Sequence, residues 1–454
     1  MIELQQYSGQ KVHFIGIGGC SMSGLAVILK NLGFFPQGSD LHESVFTKKL
    51  AEENIPFCIG HDAKNLGDAK LVVYSAAIKP GNAEYDAALS AGLPMLERAA
   101  LLGQISQQFE TVVGIAGCHG KTTITSMSAL ILRECGVDVT VHIGGMVYFL
   151  GGGVSIGSGP AFLTEACEYV ESFLELRPTH TLVNNIDDDH LDYYKDIDEI
   201  YEAFAAYIAL LPENGTLFAY AHDPLVQKLA AQSGRKTVTY GFEDADYVAA
   251  NESYDANGCP SFDVISPKGT ARIALSVVGK YNMSNALAAI AVCSEVFDLD
   301  PADMAGALKK YHLAGRRFEL IGEKNGVKVI HDYAHHPSEI AACLQAASKY
   351  PHKKLWAVFQ CNSFTRAKTL KDKFALCFGD ADTVLVPDIY PGRDIDKGEI
   401  HAKDLVAAIA PNADCLYIPT FEEISDYLDA NANPGDVVIT LGSGSVNKET
   451  NKLL

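Results

Sequence analysis

The chain has 454 residues, 20% of them charged, and a formal net charge of -20. That charge argues against nucleic acid or an anionic membrane surface as a partner, and the length suggests about three domains at roughly 150 residues each. Eleven cysteines without a C-x-x-C pair read as free thiols. With no leader-like segment after Met1 and no apolar run long enough to span a bilayer, the expected location is cytoplasmic, without integral membrane contact.

In chain order, apolar strand runs alternate with helical patterns and Gly-marked turns, the signature of parallel α/β sheets. The chain is expected to pass directly from Met1-Ile-Glu-Leu into a first strand, Val12–Ile17, followed by Gly18, Gly19 and a helix through Leu29. Gln37–Asp40 closes a second strand and Leu71–Ser75 is a third. A break near Ser106–Glu110 precedes an apolar strand from Thr111, and the next block holds Leu182–Ile186, a β-rich insertion around Tyr240–Val278 and a helix over Asn282–Phe297. Gly315-Arg-Arg-Phe318 marks a second boundary, after which Lys328–Ile330, Lys354–Gln360, Thr383–Pro387 and Asp436–Leu441 alternate with helices. The expected domains are therefore 1–108, 109–314 and 315–454.

The strongest chemical signal is Gly114-Ile-Ala-Gly-Cys-His-Gly-Lys-Thr-Thr123 at the end of the Thr111 strand. Gly117, Cys118, His119 and Gly120 supply backbone N–H groups for phosphate, Lys121 reaches the outer phosphates, and the Thr122 hydroxyl is placed to ligate Mg²⁺. Cys118 lies in an electropositive loop of the kind that activates thiols, or else is a small residue packed beneath it. The earlier loop, Gly16-Ile-Gly-Gly-Cys-Ser21, has part of a dinucleotide fingerprint with Asp40 as ribose acid, but its third glycine position is Ser21. A UDP-sugar pyrophosphate suits it better than NAD, and an NAD-dependent oxidoreductase or nucleotide-sensing regulator stands as the reading from another class.

Glu165 and Glu168 follow one apolar run, and Asn185-Ile-Asp-Asp-Asp-His190 ends another; strand ends beside a phosphate loop are where Mg²⁺ or Mn²⁺ ligands belong. Glu165 and His190 are the metal candidates, and Asp187, Asp188, Asp189 and Asp192 read as a solvated or helix-capping run. Asn282 or Asn285 could offer an amide to an adenine edge, with N-capping by Asn282 or Ser284 as the alternative. Arg316 and Arg317 either clamp phosphate or pair with acids. His335 and His336 are adjacent and cannot easily share one metal, so substrate or nucleotide contacts are preferred to zinc. Arg366 is a candidate carboxylate clamp.

Taken together, these landmarks resemble the Mur ligases along essentially the whole chain. They are His13-Phe-Ile-Gly-Ile-Gly-Gly with Met22-Ser-Gly24, Gly-Cys-His-Gly-Lys-Thr-Thr, Asn185–Tyr194, Asn282 with Asn285, Arg316-Arg-Phe318 and Asp332–Pro337. The first and last of these resemble the alanine-adding branch and its relative that attaches recycled peptide. The resemblance implies Rossmann-like N- and C-terminal domains around a central phosphate-loop ATPase. It implies ATP with Mg²⁺ or Mn²⁺, UDP-N-acetylmuramate and L-alanine as substrates, and a monomer or homodimer. Lys121, Glu165, His190 and His335 would then serve the chemistry, and Thr122, Glu165 and His190 the metal. ATP would meet the phosphate loop with Thr123, Asn282, Asn285, Arg316 and Asp332. The UDP-sugar would meet Gly16, Gly18, Gly19, Ser21, Met22, Ser23, Asp40, Ser75 and His190, and the amino acid Tyr333, His335 and Arg366.

The chain also departs from the family pattern. Cys118 stands where Thr is usual, Glu165-Ala-Cys-Glu-Tyr-Val replaces Glu-Ala-Asp-Glu-Ser-Asp, and Tyr281 and His331 replace a His and an acid. Asn362-Ser363 stand for His-Arg, which leaves Arg366 as the one remaining arginine of an expected carboxylate-binding pair. No lysine lies between Asp196 and Glu213, as the alanine branch implies.

Overall fold

The computed structural model describes residues 2–313, 315–392, 394–444 and 446–454; Ala314, at the expected second boundary, lies outside them, as do Met1, Arg393 and Ser445. Three sheets organise the chain. The first is wholly parallel, built from β1 (Lys11–Ile15), β2 (Phe35–Asp40), β3 (Phe57–Ile59), β4 (Leu71–Tyr74) and β5 (Met95–Glu97) in the order β3-β2-β1-β4-β5. A 3-10 turn at Leu4–Tyr7 precedes β1, so the chain does not run straight into a strand as the sequence suggested. Leu4 is buried in that turn, and burying one apolar side chain is reason enough to bend a short segment onto the core.

The central sheet contains β6 (Thr111–Ala116), β7 (Val139–Val147), β8 (Gly152–Ser155), β9 (Ala161–Glu165), β10 (His180–Val183), β11 (Thr216–Tyr220), β12 (Lys236–Gly241), β13 (Tyr247–Tyr254), β14 (Pro260–Ser266) and β15 (Gly269–Ala274). Their order is β15-β14-β13-β12-β11-β10-β6-β9-β7-β8. The expected β-rich insertion is thus a continuation of the central sheet: β12 and β13 extend it in parallel, and β14 and β15 fold back antiparallel at the edge. The alternating burial of β14 explains this, because one face packs on the core and the other meets solvent. The helix Lys280–Phe297 is buried over most of its length, which suits its Ala-rich, nearly all-apolar middle.

The last sheet joins β16 (Glu319–Lys324), β17 (Val327–Asp332), β18 (Leu355–Phe359), β19 (Thr383–Val386), β20 (Cys415–Tyr417) and β21 (Val437–Leu441) as β16-β17-β21-β18-β19-β20. Only β16 runs antiparallel. The strands β18, β19 and β21 are almost continuously apolar and buried, as a sheet covered on both faces requires, and β17 is buried as well although it carries Lys328, His331 and Asp332. Contact between the first two units is close: a Cβ on Gly24 would stand 3.2 Å from the ring of His142, so a larger residue would push the helix Cys20–Asn31 off β7. Among the described residues no helix is long and apolar enough to cross a membrane.

Candidate active site between the central and C-terminal sheets

The phosphate loop leaves β6 and enters the helix Lys121–Glu134 through two glycines with positive φ, Gly117 at 130° and Gly120 at 88°. Gly120 has a second reason to be glycine, since a Cβ there would meet Asn184 Nδ2 at 2.7 Å and Asn285 Oδ1 at 2.8 Å. Asn184 and Asn185, just past β10, clamp the loop: their side-chain amides donate to the His119 carbonyl, and the His119 N–H donates back to Asn185 Oδ1 at 2.8 Å. The sequence analysis gave these two asparagines no role. Their signal was their position, immediately after a strand parallel to β6.

Lys121 donates to the carbonyls of Gly117 and Cys118 at 2.6 and 3.1 Å and forms a bidentate pair with Glu168 at 2.9 and 2.8 Å. Burial opposes charge on both partners, but the pair prevails, raising the Lys121 pKa and lowering that of Glu168. Glu168 Oε1 also lies 3.5 Å from His190 Nε2. One buried carboxylate therefore holds the phosphate-loop lysine and the metal-candidate histidine together. His190 itself sits at φ 55°, a strained conformation for a side-chain-bearing residue and a common one at functional sites.

The metal candidates divide. Glu165 accepts from the Gly144 N–H at 3.0 Å and bonds the Thr122 hydroxyl; burial raises its pKa, against the pull of Lys121 and Thr122. His190 instead clusters with Glu168 and Asp189, whose ligand atoms all lie within 4.8 Å of one another. Thr122, Glu165 and His190 are thus linked through Lys121 and Glu168, and Glu168 and Asp189 are further oxygen donors that sequence reasoning left out.

Cys118 is buried, and desolvation together with Glu168 pushes its thiol well above its ordinary pKa, against the weaker pull of Lys121. Its sulfur accepts the Asp187 N–H at 3.2 Å. Of the two readings of Cys118, burial favours the small residue packed beneath the loop, with Glu168 adding to the effect of desolvation. Asn282 is fully buried, its amide donating to the Val278 carbonyl at 2.7 Å. It neither exposes an amide nor caps the helix, whose N-cap is Gly279 without a side-chain bond. Asn285, by contrast, lines a cavity of about 690 Å³ with His119, Gly120, Thr123, Arg317 and Asp332. Arg317, not Arg316, reaches this cavity; Arg316 stacks on Tyr333 at 4.6 Å and donates to the Gly444 carbonyl at 3.0 Å.

Of the acidic run only Asp192 is exposed as expected, with the Tyr169 hydroxyl on its carboxylate at 3.1 Å; the other three acids are neither freely solvated nor helix caps. Asp187 accepts the Ser338 hydroxyl at 2.6 Å, Asp188 pairs with Lys373 at 2.6 Å, and Asp189 with Arg366 at 3.1 Å. All three partners belong to the C-terminal unit, so the run is a strip of polar contacts between domains. A second cavity of about 610 Å³ opens beside it, lined by Tyr169, Asp189, His190, Tyr333, His335 and Arg366. Burial and the nearby Arg366 lower the His335 pKa to about 4, outweighing Glu339, so this ring is neutral near pH 7. Ser363, which replaces the family arginine, caps the helix Phe364–Thr369 from φ 88° and bonds Asp394 at 3.1 Å.

In the first unit Gly16 turns at φ 84° beside Ser75, and the Gly18 N–H donates to Asp40 Oδ2 at 2.9 Å. Gly19 is the N-cap of the helix Cys20–Asn31, with no side-chain bond, and so leaves its first amides free. Met22 and Ser23 point into the core. Ser21 faces the central unit, bonding His142 Nε2 at 3.1 Å and lying 3.5 Å from Arg98.

Comparison with known proteins fits this layout. Family models match in three consecutive blocks: "Mur ligase family, catalytic domain" over 11–110, "Mur ligase middle domain" over 160–293 and "Mur ligase, glutamate ligase domain" over 316–444. The chain belongs to the Mur ligase family. As a Mur ligase it is an ATP-dependent, amide-forming enzyme. It is similar to the UDP-N-acetylmuramate–L-alanine ligase of Acetivibrio thermocellus, 46% identical over 441 residues, 96% of this chain and 94% of that protein. The ligase of the same name from Alkaliphilus metalliredigens is 41% identical over 98% of this chain and 96% of its own. Among solved structures, UDP-N-acetylmuramate–alanine ligase from Thermotoga maritima superposes with a TM-score of 0.80 at 25% identity, covering 98% of each chain. A murein peptide ligase from Psychrobacter arcticus gives 0.71 at the same identity and coverage.

Proposed function

We propose that this Mur ligase joins L-alanine to the lactyl carboxylate of UDP-N-acetylmuramate, using ATP. The observation that carries the reading is the shared carboxylate of Glu168, which ties Lys121 of the phosphate loop to His190 on the wall of the second cavity. Nucleotide and acceptor would then meet at one buried junction. The relatives' names supply the substrate pair.

The chain's residues divide the work. Lys121 neutralises charge on the phosphoryl group as it passes to the lactyl oxygen, since phosphoryl transfer is chiefly positioning and charge stabilisation. The amine of L-alanine attacks the resulting acyl phosphate, and the tetrahedral adduct expels phosphate to leave the amide. Arg366 holds the amino acid's carboxylate, and the neutral His335 ring adds no positive charge to repel the incoming ammonium. Two donor sets would suit Mg²⁺, a hard cation that prefers oxygen: Thr122 with Glu165 beside the loop, and Glu168 and Asp189 with His190. Bound there it would neutralise phosphate charge.

ADP release tests the reading, measured with UDP-N-acetylmuramate against a panel of amino acids and short peptides. Turnover should require the sugar nucleotide and L-alanine together. ATP turnover indifferent to UDP-N-acetylmuramate would overturn the substrate assignment, and turnover with peptide alone would move the acceptor to the recycling branch.

A further inference from the structure

We propose that His119, Asp187 and His336 form a binding site for a transition-metal dication of the zinc class, joining the phosphate loop to the C-terminal domain. In a tetrahedral site with N and O ligands about 2.0–2.1 Å from the ion, neighbouring ligand atoms stand about 3.3–3.4 Å apart. Asp187 Oδ2 lies 3.2 Å from His119 Nε2 and 3.3 Å from His336 Nδ1. All three ligand atoms fall within 4.8 Å of one another. Two edges of the tetrahedron are therefore already at length.

The surroundings are those of a metal-binding histidine pair. Such histidines give their other ring nitrogen to a carboxylate or a backbone carbonyl, which fixes ring and tautomer. His336 Nε2 stands 3.1 Å from the Asp188 carbonyl, while Glu339 Oε1 lies 3.2 Å from His119 Nδ1 as an ion-pair contact without the alignment of a hydrogen bond. A carbonyl can only accept, so His336 Nε2 carries the proton and Nδ1 presents a lone pair. That lone pair faces Asp187 Oδ2 at 3.3 Å. The same oxygen is already held by the Ser338 hydroxyl at 2.6 Å and by the His119 ring, which Glu339 and Asp187 keep protonated against burial. An entering ion would therefore take the place of the His119 Nε2 proton. The Ser338 N–H, at 3.4 Å, is a weak competitor for His336 Nδ1.

Of the three ligands His119 also lines the 690 Å³ cavity, beside Ser338 and Glu339, so a fourth ligand could come from that side. Water or an anionic oxygen of a bound nucleotide could serve. Two imidazoles and one carboxylate select a softer ion than Mg²⁺, which keeps this site chemically distinct from the oxygen-rich cluster at Glu168. The ring pair joins the phosphate loop to His336, the N-cap of the helix Pro337–Ser348, so a bound ion would cross-link two domains.

The test is calorimetric titration of Zn²⁺ into the full chain with excess Mg²⁺ and no substrates, so its outcome is independent of the substrate assignment. One ion per chain should bind, and Asp187→Asn and His336→Gln should each weaken binding by about tenfold or more. A second variant guards against misfolding: Co²⁺ added to His336→Cys should give a new thiolate-to-cobalt charge-transfer band. Zinc affinity unchanged in either substitution, no zinc binding by the wild type, or no new band in the cysteine variant overturns the proposal.

Discussion

Glu168→Gln isolates the buried pair at the centre of the site. Glutamine keeps the shape of the side chain and removes its charge. In the native chain Glu168 is 1% exposed and Lys121 15%, and the two meet through both carboxylate oxygens. Removing one partner of such a pair typically costs about 3–5 kcal/mol, because the other charge stays buried. Here the carbonyls of Gly117 and Cys118 still hold the ammonium at 2.6 and 3.1 Å, which places the cost near the lower end, about 3 kcal/mol. At about 2–4 °C per kcal/mol for a unit of this size, the transition of the central domain should fall by roughly 6–12 °C in scanning calorimetry. Lys121→Met/Glu168→Gln removes both charges and should cost less than the two single changes together, by more than about 1 kcal/mol. Saturating ATP should narrow the gap between Glu168→Gln and wild type, since phosphate oxygens would replace the missing anion. Additive single and double changes, or a fall of less than about 2 °C, would show that the pair contributes no such coupling.

Cys118 should resist iodoacetamide in the native protein while the exposed Cys58 reacts, as read by peptide mass spectrometry; equal rates would refute the burial argument. Arg366→Ala should raise the L-alanine KM by about ten- to a hundredfold, the value of one charge-assisted contact, with KM for ATP changed little; an unchanged L-alanine KM would place the carboxylate elsewhere. Burial opposes ionisation of Glu84, but hydrogen bonds from His13, Ser39 and Asn65 win and lower its pKa to about 2. Its folded pKa is depressed, so its stabilisation is full above about pH 5 and is lost as pH falls toward 2, roughly 3 kcal/mol in all. Glu84→Gln should therefore melt earlier at pH 7 and flatten the acid arm of Tm against pH; parallel acid arms would refute this.

Local chemistry was legible where one short segment carried it. The phosphate loop could be read because strand, glycines, lysine and helix are contiguous, and the strand–helix alternation pointed to the parallel α/β class. Glu168 was harder, since nothing in Glu-Ala-Cys-Glu says which of two acids turns inward; only the packing of β9 against β6 settles that Glu165 meets Thr122 and Glu168 meets Lys121. Asn282 and Asn285 illustrate the same limit. They are three residues apart on one helix, yet one is spent on Val278 and the other lines the cavity.

The run Asp187-Asp188-Asp189 was misread for a deeper reason. Consecutive acids in isolation repel, and a solvated surface is the ordinary way to keep them apart. Here the repulsion is relieved by a different domain, more than a hundred residues later in sequence, that brings Ser338 and His336, Lys373 and Arg366 to successive carboxylates. Periodicity cannot encode such a match, because neither side of it is patterned along its own segment. The same strip carries Asp189 into the wall of the 610 Å³ cavity and Asp187 to the histidine pair. The contact between the central and C-terminal domains and the walls of the site therefore share one set of residues, and a substitution anywhere along the strip should disturb both.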